Sequence, residues 1–99
     1  MNLNWLTVEL IKKHLRIDGD EEDDLLLRYG AAAESVILQL CGMSYAELIE
    51  KYETVPVELE NASLLLTEVS YKERGPVSVQ NMSVVPYSFD LLVKPYVRL

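Results

Sequence analysis

The chain has 99 residues, of which nine are Lys or Arg and sixteen Asp or Glu, giving a formal charge of −7 and a pI near 4.6. That length holds one domain, and that charge excludes a free-standing nucleic-acid binder, whose affinity comes from clustered basic residues. With 49% hydrophobic and 25% charged residues, wholesale disorder is excluded too.

From the N-terminus, Val8, Ile11 and Leu15 recur at helical spacing with Leu10 beside them, predicting a short helix capped by Thr7. Trp5 and Leu6, just ahead of the cap, are placed to fold back as a staple on its first turn. Residues 18–24 then carry six of the sixteen acidic side chains. With Asp20 as N-cap, the four acids that follow fall in the first turn of a longer helix, where its dipole favours negative charge. Leu26, Tyr29, Ala33, Val36 and Leu40 form the apolar face of that helix, and Gly42 closes it. The small residues 30–33 in its middle allow another helix to approach closely.

Ser44 and Glu47 fit a capping box for a short helix through about Tyr52. Pro56 stands at the first position of the next helix, with Leu59, Ala62, Leu66 and Val69 as its core face and Leu65 flanking. Gly75-Pro76 ends it. Residues 77–85 mix β-branched and polar side chains, which predicts an extended loop or short hairpin, and Phe89 to Val93 form a last apolar segment stopped by Pro95. The pattern predicts an all-α fold, a small bundle of about four to five helices. A helical body over 1–76 and an extended arm with a short C-terminal helix over 77–99 together make a single domain. The body carries a net charge of −8 and the tail +1.

The residues that carry chemistry elsewhere have plainer readings here. Counting a calcium loop from Asp18 puts Asp23 where Gly is required and Tyr29 where a bidentate Glu is required, so no metal site is expected. His14 suits a helix C-terminus and Cys41 a small buried hydrophobe, rather than a base and a nucleophile. No phosphate loop or nucleophile elbow is present, so the reading is a non-enzyme with no catalytic residues and no cofactor. The N-terminal residues do not read as a signal peptide and no apolar run is long enough for a membrane span, which predicts a soluble protein made intracellularly. Six tyrosines among eight aromatics suit a protein–protein interface and a core boundary equally well.

Taken in order, the segments resemble the head–tail connector (adaptor) family of long-tailed bacteriophages. The matching pieces are Leu6 to Asp18 with its Leu-Arg-Ile-Asp end, the acidic run and long helix over Asp20 to Leu40, and the helix end from Tyr71 to Arg74. The closing signature runs from Val85-Pro86-Tyr87 through Leu91-Leu92 to Pro95-Tyr96. Ser88 stands where the family often has Gly, and Val97 is inserted before Arg98.

The resemblance implies a structural virion protein made in the bacterial host cytoplasm and placed at the head–tail junction. Such a protein forms a homo-oligomeric ring, usually dodecameric, beneath the portal protein. It extends the DNA channel and carries head-completion or tail proteins, with no membrane and no specific nucleic-acid partner. The assembly candidates are Tyr71, Arg74, Pro86, Tyr87, Phe89, Leu92, Pro95 and Tyr96. The small-residue face of the second helix is a further candidate surface. The acids Asp20, Glu21, Glu22, Asp23 and Asp24 are candidates for a channel wall that repels DNA. The alternatives from other classes are an acidic DNA-mimic inhibitor and a small helical regulatory protein.

Overall fold

A computed structural model of the chain describes residues 3–73 and 87–97. Over these residues the chain forms five α-helices and no strand: α1 Val8–Leu15, α2 Asp23–Cys41, α3 Tyr45–Tyr52, α4 Val57–Glu73 and α5 Tyr87–Val93, followed by a 3₁₀ turn at Lys94–Tyr96. The segment expected to form a loop or hairpin, 77–85, lies outside the described residues, as do Arg74, Gly75-Pro76 and Pro86.

The local chemistry sets the helix limits. The Thr7 hydroxyl accepts the Leu10 N–H at 3.0 Å, starting α1. Ser44 and Glu47 complete their capping box at the start of α3, each side chain accepting the other's backbone N–H. Gly42 closes α2 in the left-handed region, at φ 71°, with its N–H reaching back to Leu38 and Gln39. Arg16 takes the same conformation after α1, at φ 61°, where a side chain is disfavoured. Pro56 stands one residue ahead of α4, and its carbonyl accepts the N–H groups of Leu59 and Glu60.

The start of α2 departs from the expectation. Asp20 is not its N-cap: the helix begins at Asp23, with Glu22 in the cap position and no side-chain cap bond. The cause is α1. Lys12 Nζ lies 2.6 Å from both Asp20 Oδ1 and Asp23 Oδ1, which draws the Asp20 carboxylate away from the backbone it would cap. Only Asp23 and Asp24 remain in the first turn.

Helices α2 and α4 form the centre. Val36, Ile37 and Cys41 near the end of α2 share one buried cluster with Leu59, Ala62 and Leu66 of α4. At the other end, Leu26 of α2 and Leu64 of α4 pack with Leu6 and Ile11. The two helices are therefore antiparallel. Because α1, α2 and α5 all contact α4, that helix buries polar positions as well as the expected Leu59, Ala62 and Leu66: Ser63, Thr67 and Ser70 are inside. Ser63 and Thr67 satisfy themselves by donating to the carbonyls one turn back, at 2.7 and 2.8 Å. The staple also forms, with Leu6 buried beside Ile11.

Candidate assembly surface

The sequence-marked assembly residues fall at two separate places. Tyr71, near the end of α4, is half-buried, and its hydroxyl donates to Glu22 Oε1 at 2.7 Å, tying α4 to the approach of α2. The others that are described lie on α5 and the turn after it. Phe89 and Val93, four residues apart, share one face of α5, and both are buried in the α2–α4 cluster. Leu92 is half-buried against that cluster. Tyr87 opens α5, and Pro95 is exposed in the 3₁₀ turn. Arg74 and Pro86 lie outside the described residues.

Tyr96 holds the end of this element. Its hydroxyl donates to Glu58 Oε1 at 2.5 Å, and its ring meets Tyr52 edge-on, with centroids 5.5 Å apart and planes at 77°. The bond to the Glu58 carboxylate, with a smaller effect of burial, pushes the phenol pKa up to about 12. The C-terminal turn is thus returned to the start of α4. Just outside it, the exposed face of α5 carries Leu91, 60% exposed. Leu91 borders an open, mainly apolar groove of about 490 Å³, lined also by Leu40, Asp90, Lys94 and Val97. The residue patterns did not single out Leu91, because it falls off the buried face of α5 and its exposure follows from packing alone.

The acidic run is partly neutralised from within. Asp20 and Asp23 share Lys12, whose pKa is raised by hydrogen bonds first to Asp20 and then to Asp23. Lys12 in turn holds the Asp20 carboxyl below its ordinary range. Glu22 receives Tyr71, while Glu21 and Asp24 are exposed. Elsewhere, His14 Nε2 lies 2.9 Å from Glu68 Oε1, joining α1 to α4. Glu68 also accepts Lys72, and that bond, against some burial, holds its carboxyl below the ordinary value.

The small-residue face of α2 is largely used inside the chain. Gly30 and Ala33 are buried, and a Cβ at Gly30 would stand 2.9 Å from Ile11 Cδ1 and 3.2 Å from Leu3 Cδ2. Close approach was the right physical expectation, but the approaching element is α1 with the segment before it. Only Ala31 and Ala32 stay half-buried.

Glu34 was not singled out from the sequence. It is 1% exposed, and its carboxylate accepts three consecutive backbone N–H groups, from Asn4, Trp5 and Leu6, each at 2.8 Å. The Trp5 indole N–H donates to Ser63 Oγ at 2.9 Å, so the N-terminal segment is fastened to both central helices. A signal was present: Glu34 lies four residues after Gly30 and three before Ile37, on the buried stripe of α2. A carboxylate there requires donors, and unpaired amides just ahead of a helix are the nearest supply.

Among the described residues no three His, Cys, Asp or Glu side chains come together to hold a metal ion, and no helix is long and apolar enough to cross a membrane. A comparison with protein families decides the identity: residues 6–96 match the description "phage gp6-like head-tail connector protein". The chain belongs to that family. Neither the curated proteins nor the solved structures gave a match. The connector is accordingly a structural phage protein of the head–tail junction, a family not defined by catalysis.

Proposed function

We propose that the connector assembles as a homo-oligomeric ring, of twelve copies where it meets the portal. That ring would dock beneath the portal protein, continue the DNA channel, and present a platform to head-completion or tail proteins. The family match over residues 6–96 carries the reading. A closed ring of identical subunits needs two unlike surfaces on each copy. Unlike surfaces exist at the two ends of α2, about 28 Å apart for nineteen residues at 1.5 Å each. One end holds the end of α4, where Tyr71 bonds Glu22, and the other the apolar groove beside α5. In this reading Arg74, Pro86 and the 77–85 segment serve contacts between copies, and Leu92, Pro95 and Tyr96 shape the α5 end.

We assign the exposed acids Glu21 and Asp24, with Asp20 beside them, to the channel side, where negative charge repels the DNA backbone so that it slides without adhering. Asp23 and Glu22 support that wall from behind through Lys12 and Tyr71.

The test is the mass and image of the connector alone and with the portal protein of the same phage. Rings that form on the portal are the expected result, and a connector that stays apart from the portal at every concentration removes the reading. Deleting everything after Pro76 would be a poor companion test, because it strips Phe89 and Val93 from the core. Replacing Val79 and Val84 by Ser leaves the sequence of α5 and its buried Phe89 and Val93 intact. Unchanged ring formation in that variant ends the assembly role of 77–85.

A further inference from the structure

The outer face of α5 has a self-complementary pattern. Leu91 is 60% exposed at the edge of the groove that Leu40 and Val97 also line. Asp90 and Lys94 border the same groove, both exposed, and among the described residues neither makes an ion pair. They are four residues apart, and Val93 keeps helical backbone angles, so the acid and the base stand on one edge of the helix with Leu91 beside them. An apolar residue flanked by one acid and one base at that spacing matches a second copy of itself turned through 180°. Asp90 then faces the other copy's Lys94, Lys94 faces its Asp90, and the two Leu91 side chains meet over the grooves. Such a contact is isologous, the commonest kind between identical chains.

We propose that two copies of the connector pair through this face, α5 against α5 in antiparallel sense, as its form in solution away from the portal. The pairing covers the most exposed leucine of the described residues until a ring or a portal offers it another contact. The contact is small, so it is weak and exchanging, as a pre-assembly form must be if it is to dissociate. It does not depend on the ring: portal docking can fail while the dimer stands, and the reverse.

Sedimentation equilibrium of the purified full-length connector without portal tests it. A monomer–dimer equilibrium is expected. L91K yields monomer, and D90K or K94D alone, each creating two like-charge pairs, weakens pairing at least about tenfold. Mixing the D90K and K94D proteins then restores a heterodimer, because two lysines on one copy meet two aspartates on the other. All three residues are exposed, so circular dichroism is expected to show an unchanged fold. A wild-type mass that stays monomeric up to about 1 mM, above the Kd of any useful contact, overturns the proposal. So does a dimer indifferent to L91K, or a mixture that fails to recover.

Discussion

The two ends of the described chain are fastened to the same pair of helices by opposite means. The N-terminal segment is held by a buried carboxylate, Glu34, that grips three backbone N–H groups, and by an indole bonded to Ser63. The C-terminal element is held by two apolar plugs, Phe89 and Val93, and by one partly buried phenol–carboxylate bond from Tyr96 to Glu58. Charge-assisted bonds in a dry setting are directional and costly to leave half made, so the first attachment fixes one geometry. Apolar plugs tolerate small shifts, and the outer side of α5 stays open to other molecules. The N-terminal end thus belongs to the scaffold, and the α5 end is the one suited to meeting partners.

The sharpest way to break this contrast is Glu34→Ala. It removes three charge-assisted bonds and strands the buried Leu6 N–H beside the partly buried ones of Asn4 and Trp5. The expected loss is about 4 kcal/mol, close to the whole stability of many small domains. Urea unfolding measures it, and a loss below that of Phe89→Ala would erase the distinction drawn above. Phe89→Ala should cost about 3 to 4 kcal/mol by leaving a cavity between α2 and α4, read in the same experiment.

Tyr96→Phe removes one hydrogen bond and should cost about 1 kcal/mol. Its signature is alkaline. A phenol raised from 10.0 to about 12 in the folded state favours folding while it is protonated. That contribution is full below pH 10 and is lost as pH rises from 10.0 to about 12, so wild-type stability should fall across this window more steeply than that of the variant. At the acid side, Asp20 and Glu68 are both held below their ordinary values, by Lys12 and by Lys72 respectively. Their small contributions are present at neutral pH and fade as pH drops below the ordinary carboxylate range. The smallest effect is a gain: Arg16→Gly relieves a left-handed backbone and should add up to about 1 kcal/mol.

The helix ends marked by local chemistry were legible in the sequence, because Thr7, the Ser44–Glu47 box and Gly42 act within a turn of their own position. The spacing marked Ile11 on α1 and Leu26, Tyr29, Ala33 and Val36 on α2, all of them buried. It also marked Leu40, which is half-buried at the groove, and passed over Ile37, which is fully buried. Where a distant residue intervenes, the reading failed. Asp20 has the side chain of an N-cap, but Lys12, eight residues earlier, takes it. Gly30 and Ala33 announced a close approach without saying whose, and the answer, Ile11 and Leu3, is set by the turn between α1 and α2. Of the site, the apolar plugs of α5 lay within the family's closing signature. Exposed Leu91 and buried Glu34 depend on which faces the bundle covers, and no short-range pattern records that.

The Glu34 clamp has an evolutionary consequence. It recognises main-chain amides, so Asn4, which is exposed, could change identity and still be gripped, while Trp5 and Leu6 are fixed as well by Ser63 and by the contact with Ile11. Proline is the exception, since it has no N–H to offer. The trace of the clamp in a lineage would be a lone carboxylate on the oily stripe of α2, facing a proline-free entry segment.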